Sequence, residues 1–300
     1  MTNTIELLKA RCLMYTVKLS EVIASSCAHS NHEPRKTLES SHSRFIRSFE
    51  ERYDDTEIYD RVNAWEEGDE ENVWELSGLI EGDIMINPDD HQDAKGLLDT
   101  SKRWSNGIVP FKMKDGHFNE AETSVILRAM EEYHQRTCLQ FRPYNKSIDK
   151  DYISFQSSKA GCWSSVGRQD AGQAINLQRP KCVKHGSIVH EIMHAIGFHH
   201  QHSSYDRDNY IEVVWENIKT GKEKNFKKYE EDTVTDFGVG YDYKSIMHYS
   251  RKVFSANGQP TIIPLERGVK IGQREKLSDK DVSKIQEMYK EECANRYNET

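Results

Sequence analysis

The sequence predicts an α+β fold, in which a sheet packs against long helices. Two observations indicate this fold. From residue 104 onward, short stretches of alternating apolar and polar residues, typical of strands, are interspersed with amphipathic segments of helical period. No stretch of about 18 consecutive apolar residues, the length that crosses a bilayer, occurs in the 300 residues. We therefore expect a domain without a membrane span.

The first elements of this domain are a strand and a long helix. The alternation over Ile108–Met113 predicts a strand. Residues 119–136 have the spacing of an amphipathic helix, with Asn119 as its N-cap. Glu122 stands three residues later and completes a capping box, which fixes where this helix begins.

The remaining elements follow the same two periodicities. Short alternating segments predict three more strands, and two further segments predict helices. Ser278 and Asp281 form a second capping box at the start of the last helix. The predicted strands are 139–144, 152–156 and 174–177, and the predicted helices are 187–198 and 278–292.

Charge divides the chain into two unlike parts. Residues 1–95 carry 10 Lys and Arg against 21 Asp and Glu, a net charge of −11, whereas the rest carries 31 against 28. The acidic run over residues 50–75 is typical of a solvated, poorly packed segment. We place the boundary of the globular domain between Asp90 and Trp104. The overall charge of −8 argues against a nucleic-acid partner.

A cluster of histidines indicates a metal site. Five of the 13 histidines lie between residues 190 and 202. On a helix, His190 and His194 are one turn apart and can bind one metal ion, while Glu191 can reach a water held on it. Gly197 can end the helix and allow His200 to turn back as a third ligand. Three imidazoles and an open position are typical of a catalytic zinc site.

The alternative interpretation is a buried helix with histidines that coincide by chance. The spacing argues against it, because it also meets the geometric demands of zinc ligation. Two neighbouring histidines, His199 and His202, do not fit the helical phase or the glycine turn. For these two we expect a role at the surface.

The motifs beyond the histidines resemble those of the astacin family, zinc endopeptidases of the metzincin group. The resemblance covers residues 96–300 and implies a zincin-like fold, with a twisted mixed sheet, a zinc-binding helix and a less regular C-terminal subdomain that ends in a helix. It also implies one Zn²⁺ per chain and protein or peptide substrates. The motifs are Arg103-Trp104 to Pro110, Gly197-Phe198, Asp206-Arg207-Asp208-Asn209-Tyr210, Ser245-Ile246-Met247-His248-Tyr249 and Gly272-Gln273-Arg274.

The resemblance assigns roles that the spacing alone leaves open. Met247 is implied to lie beneath the zinc as an apolar floor. Tyr249 is implied to be an additional zinc ligand that swings away and steadies the transition state. Zinc lowers the pKa of a bound water, and Glu191 is then expected to act as the general base that takes its proton.

The cysteines give a second comparison with the family. Its catalytic domains carry two disulfides, which implies Cys138 with Cys293 and Cys162 with Cys182, although four cysteines allow three connectivities. Free buried thiols in a cytosolic protein are the alternative. The two other cysteines, at positions 12 and 27, fall outside this scheme.

The acidic part of the chain resembles a propeptide, which we place at residues 29–95. In the family, the aspartate of a short Gly-Asp motif occupies the position of the water on zinc, and residues 79–84 match that motif. Asp83 is therefore the candidate latency ligand. Gly82 lets the backbone approach closely, which favours this role over a solvated aspartate.

The expected organisation is a signal segment at 1–28, the propeptide, and a protease domain at 96–300. Residues 1–28 form an atypical signal, because charged residues interrupt the apolar stretch. We infer secretion from the cysteines, the propeptide and the family. An activating protease is expected to cut near Lys95, with Lys102 and Arg103 as alternatives. We expect a monomer.

Two positions depart from the family pattern. Gln201 stands where a glutamate commonly meets the new amino terminus, and an amide cannot neutralise that charge. Ser204 replaces a frequent arginine. Another metzincin, such as a reprolysin-like protease, would have Asp after the third histidine, which argues against that alternative. A catalytically weak or non-proteolytic zinc-binding protein is the alternative from another class, and the presence of Glu191 argues against it.

Overall fold

A five-stranded sheet with one antiparallel edge organises the chain in the computed structural model, which describes residues 55–86, 99–231 and 234–298. The strands of this sheet are ordered β2-β1-β3-β5-β4, and β6 and β7 form a separate pair. The seven strands are β1 (Ile108–Met113), β2 (Gln140–Pro143), β3 (Ile153–Gln156), β4 (Cys162–Ser164), β5 (Gln173–Leu177), β6 (Ile211–Val213) and β7 (Ile262–Pro264).

The sheet is mixed, as predicted. Strand β1 pairs in parallel with β2 and with β3, β3 pairs in parallel with β5, and β4 runs antiparallel to β5. Strand β4 escaped prediction because its three residues are buried and too short to display alternation. It forms one edge of the sheet, where its outer side can pair with another extended segment.

Five α-helices are described, and within the residues that the structure covers no helix is long and apolar enough to span a membrane. Helix α2 begins after Asn119 with the predicted capping box. The predicted C-terminal helix is two helices, interrupted at Tyr289, whose hydroxyl donates to the carbonyl of Ile196 at 2.9 Å. The helices are α1 (Asp55–Ala64), α2 (Glu120–Arg136), α3 (His185–Ala195), α4 (Asp279–Met288) and α5 (Lys290–Asn298).

Segment 55–86, which lies within the predicted propeptide, is well packed. The prediction of a poorly packed segment is therefore wrong for residues 55–75, although most of their acidic side chains are exposed to solvent, as predicted. The reason is that its few apolar side chains bury against the rest of the chain, although they are too few to form a core by themselves. These side chains are Ile58, Val62, Trp65, Val73 and Trp74, each at most 6% exposed.

Two apolar clusters and two disulfides hold the domain together. The larger cluster lies between the sheet, α2 and α3, and the smaller one surrounds β6 and β7. The structure joins Cys138 to Cys293 and Cys162 to Cys182, the connectivity that the resemblance implied. Cys12 and Cys27 lie outside the described residues. In the chain-entropy account, each cross-link of this length contributes about 3 to 5 kcal/mol.

Candidate active site

Helix α3 brings the predicted histidine ligands together. His190 and His194 lie on it, and the chain turns at Gly197 so that His200 faces both rings. Gly197 has φ +114°, a conformation that side chains disfavour. The Nδ1 atoms of His190 and His194 donate to main-chain carbonyls at 2.9 and 2.7 Å, which directs both Nε2 atoms inward.

Asp83 occupies the centre of the three imidazoles. Its Oδ2 lies 2.9 Å from Nε2 of His190, and its Oδ1 lies 3.3 and 3.4 Å from Nε2 of His194 and His200. All four side chains are buried. Burial opposes ionisation of the Asp83 carboxyl, but the facing rings of His200 and His194 hold its pKa well below the usual range.

This cluster fits a zinc ion. One ligand atom from each of Asp83, His190, His194 and His200 lies within 4.8 Å of the others. Two of these buried atoms, Oδ1 of Asp83 and Nε2 of His194, have no hydrogen-bond partner among the described residues, as expected for metal ligands. Three nitrogen ligands and one oxygen ligand match the tetrahedral coordination that zinc prefers.

Glu191 lies beside this cluster and stays out of it. Its side chain is fully buried, and neither carboxylate oxygen has a hydrogen-bond partner in the described part of the chain. Burial raises the pKa of Glu191 well above its ordinary value, and the negative charge of Asp83 raises it further. A desolvated carboxyl of this kind holds a proton readily, which suits a general base that must also return the proton.

The turn that contains Met247 is held by the last helices. The Asp281 carboxylate at the start of α4 accepts hydrogen bonds from the Ser245 hydroxyl at 2.6 Å and the Ile246 amide at 2.9 Å. Met247 is buried in the larger core cluster. Its carbonyl accepts the amide hydrogen of Gln201 at 2.9 Å, which ties the turn to the residue that follows His200.

Tyr249 packs against the third histidine. Its ring centroid lies 4.8 Å from that of His200, and burial raises the pKa of its hydroxyl well above the ordinary value. The hydroxyl has no hydrogen-bond partner among the residues that the structure describes. The hydroxyl is therefore protonated and can donate a hydrogen bond.

His199 and His202 do not have the surface role predicted for them. His202 is fully buried, stacks on Tyr249 with centroids 3.5 Å apart, and donates through Nε2 to the carbonyl of Asn225 at 2.8 Å. His199 is half-buried, and its ring lies 4.5 Å from that of Tyr229. Helical phase alone placed them outside, whereas the loop after α3 folds both rings inward.

The two departures from the family pattern have partners within the chain. The Gln201 carbonyl oxygen accepts a hydrogen bond from the Lys284 ammonium at 2.5 Å, and both side chains are buried. Ser204 donates to Asp206 at 2.5 Å. Arg207 is buried and donates to the carbonyls of two other residues.

Segment 55–86 covers the rest of the site. The amide of Met85 donates to the carbonyl of Ser164 at 2.9 Å, and the amide of Ser164 donates to the carbonyl of Asp83 at 3.1 Å. The segment therefore lies parallel to β4 along its free edge, with a bridge between residues 84 and 164. The indole ring of Trp74 stacks on His190 with centroids 4.4 Å apart.

Two glutamates of this segment contact the protease domain in ways that the sequence did not predict. The Glu75 carboxylate accepts hydrogen bonds from the amide and the hydroxyl of Ser250, both at 2.6 Å. Glu81 contacts the outer nitrogen of His200. Nothing in the local sequence distinguishes these two residues from solvated glutamates, because each partner lies more than 100 positions away in the sequence.

Fold and site together define a metallopeptidase domain in which three histidines face one position. The chain belongs to the astacin family of peptidases, whose sequence model matches residues 97–290. The resemblance found from the motifs is thus confirmed. The predicted segments 1–28 and 29–95 lie outside that match, and the expected cut near Lys95 lies outside the described residues.

Relatives and a solved structure agree with this membership. The chain is 39% identical over 212 residues to zinc metalloproteinase nas-14 of Caenorhabditis elegans, covering 70% of this chain and 42% of that protein. It is 38% identical over 222 residues to nas-4 of the same organism, covering 71% and 70%. High choriolytic enzyme 1, a hatching enzyme zinc-protease of Oryzias latipes, is similar with a TM-score of 0.59 and 35% identity over 64% of this chain and 96% of that one. The chain spans about half the length of several curated relatives it matches.

Proposed function

We propose that this protein is a zinc endopeptidase that hydrolyses peptide bonds of protein substrates. The observation that carries the proposal is the convergence of three inward-facing imidazole nitrogens beside a buried, unpartnered glutamate in the described part of the chain. Family membership supports the same activity. We infer the metal ligands to be His190, His194 and His200.

Each residue of the site has a distinct task in this reaction. A bound zinc supplies Lewis acidity and an acidified water. Glu191 accepts a proton from the attacking water and returns it to the leaving amine. The Tyr249 hydroxyl donates a hydrogen bond to the oxygen on which negative charge develops. The free edge of β4 can hold the substrate as an added strand.

A single assay separates the enzyme from a zinc-binding protein without activity. We expect one zinc per chain after removal of the propeptide, and cleavage of casein or gelatin that a chelator abolishes and added zinc restores. Bound zinc without cleavage of any member of a peptide library would contradict the proposal and favour the non-proteolytic alternative.

We further propose that the chain is made as a latent precursor, with residues 29–95 as propeptide and 96–300 as protease domain. Support comes from Asp83, whose carboxylate stands between the three imidazoles, where a water would bind. Segment 55–86 also covers the edge of β4. While this segment is bound, Asp83 keeps a water from the central position, and an extended protein substrate cannot pair with β4.

Replacement of the latency ligand tests the precursor. Asp83→Ala is expected to give the uncleaved chain measurable activity on a short fluorogenic peptide, because the central position becomes open to water. The matched control is Asp60→Ala, since Asp60 is exposed on α1 and lies 23 positions before Asp83 in the sequence. If the Asp83→Ala precursor stays as inactive as the control, the assignment of the latency ligand is wrong.

The proposal also includes an activating cut near Lys95, secretion of the protein and a monomeric state. Arg103 forms an ion pair with Glu292 at 3.3 Å in which both side chains are largely buried, so this alternative site is poorly accessible to a protease. Two disulfides are typical of secreted proteins. Amino-terminal sequencing of the activated enzyme locates the cut, and size-exclusion chromatography tests the expected monomer.

A further inference from the structure

The outer nitrogens of the three ligand histidines are held in two different ways. His190 and His194 donate through Nδ1 to main-chain carbonyls of the protease domain. His200 instead has its Nδ1 2.8 Å from Oε2 of Glu81, a residue of the proposed propeptide. The third ligand therefore depends on a part of the chain that activation removes.

Glu81 is built into this position. Its side chain is buried, and its other carboxylate oxygen accepts a hydrogen bond from the Tyr229 hydroxyl at 2.7 Å. Its amide donates to the side-chain oxygen of Asn225 at 3.2 Å. The backbone has φ +47°, in the left-handed region that favours glycine and costs about 1 kcal/mol for a glutamate. The side-chain contacts offset that strain.

We propose that Glu81 is a positioning residue for zinc in the precursor, acting through the outer nitrogen of His200. A carboxylate that accepts the hydrogen of a ligand imidazole fixes the ring and makes it a stronger donor to the metal. This inference rests on the proposed function, since it requires His200 to be a zinc ligand and residues 29–95 to be removed. The precursor then binds zinc more tightly than the activated enzyme, beyond the contribution of Asp83.

The test measures how strongly the intact precursor holds zinc. We expect Glu81→Ala to lower the zinc affinity of the precursor about 10- to 100-fold in competition with a chelator, the range seen when the partner of a ligand histidine is lost. Glu81→Gln fills the same space without the charge, and we expect an intermediate loss. The downfield proton resonance of the His200 ring should move in both variants, which a purely space-filling role would not cause.

Two controls keep the result interpretable. Glu66→Gln removes an exposed charge from the same segment, where the Glu66 carboxylate pairs with the ammonium of Lys181 at 3.0 Å, far in sequence from the histidines, and should leave zinc affinity unchanged. Activated enzyme made from every variant has the same sequence, because residue 81 is removed, so its activity and zinc affinity should match the wild type.

The possible failures are distinct. If Glu81→Gln and Glu81→Ala precursors hold zinc as the wild type does and the His200 resonance stays in place, Glu81 has no positioning role. If the wild-type precursor itself binds no zinc, the proposed metal site is wrong. Should the alanine variant fold poorly by circular dichroism, the glutamine variant decides the question, because it preserves the volume of the side chain.

Discussion

At the scale of single residues, the environment of Glu191 differs from that of the carboxylates around it. Asp83 faces three imidazoles, whereas Glu191 is buried without a hydrogen-bond partner among the described residues. The first arrangement favours ionisation and the second favours a bound proton. The two carboxyl groups are thus suited to the different tasks proposed for them, Asp83 as a ligand and Glu191 as an acid or base.

Replacement of Glu191 should separate metal binding from catalysis. Glu191→Ala is expected to retain zinc, because its oxygens lie outside the ligand cluster, and to lose at least about 10²-fold in kcat with the general base. Zinc content and turnover of denatured casein by the activated enzyme are the measurements. Wild-type turnover in a zinc-loaded variant would contradict the assignment of Glu191.

A second prediction concerns Glu75 and the pH dependence of precursor stability. Burial raises the pKa of Glu75 from 4.5 to about 7, although hydrogen bonds from Ser250 and Asn72 lower it. A carboxyl with a raised folded-state pKa stabilises the fold fully below pH 4.5, and that contribution is lost as the pH rises to about 7. From about pH 5 to 8, wild type should lose on the order of 2 kcal/mol relative to Glu75→Gln.

Denaturant unfolding of both precursors at several pH values measures this difference. The glutamine variant retains the other titrating groups, including Glu81 and the histidines, so their contributions cancel in the comparison. Parallel curves for the two chains would mean that Glu75 has the same pKa in the folded and unfolded states.

At the scale of elements, local signals predicted what depends on local structure. The α2 capping box, formed by Asn119 and Glu122, lies within four residues and was found from the sequence. The interruption at Tyr289 was not, because it depends on a hydroxyl that reaches the end of α3, 93 positions away. Strand β4 was missed for a similar reason, since its pairing with β5 defines it.

Substitution of Gly197 by alanine tests whether the turn after α3 positions His200. In Gly197→Ala, the new Cβ would lie 2.7 Å from Cε of Met288, and the backbone would keep φ +114°. We expect a loss of about 2 kcal/mol in stability and weaker zinc binding, because His200 depends on this turn. Thermal unfolding and chelator competition measure both effects.

Gly258→Ala is the matched control for this substitution. Gly258 also has a positive φ, +74°, but nothing among the described residues lies within 4 Å of the position that a new Cβ would take. It should lose about 1 kcal/mol and keep its zinc affinity. Equal zinc affinity in the two variants would show that the turn at Gly197 does not position the third ligand.

At the scale of the whole molecule, the sequence predicted which residues cluster at the site better than it predicted how the segment that covers them packs. The histidine spacing and the Gly-Asp motif were sufficient to find His190, His194, His200 and Asp83, because each motif is local. The acidic composition of residues 50–75 suggested a solvated segment, whereas residues 55–75 cover the site with buried side chains. Composition averages over a segment and cannot indicate where its few apolar residues bind.

This packing predicts that cleavage of the chain between residues 86 and 99 and release of the propeptide are separate events. A cut within residues 87–98 breaks one covalent bond and none of the contacts of segment 55–86. Five buried apolar side chains contribute about 2 kcal/mol each, against an association cost of about 4 to 15 kcal/mol. Hydrogen bonds from β4 and Ser250 and the Asp83 contacts add to the favourable side.

We therefore expect the cut chain to remain inactive at micromolar concentration, with both fragments eluting together, and to gain activity on dilution as the segment dissociates. Trp74→Ala is the informative variant, because its ring is buried against His190 and its removal should cost about 3 to 5 kcal/mol of docking. That variant should become active as soon as it is cut. Full activity of the wild type immediately after cutting, at micromolar concentration, would mean that the covalent connection, and not these contacts, holds the segment in place.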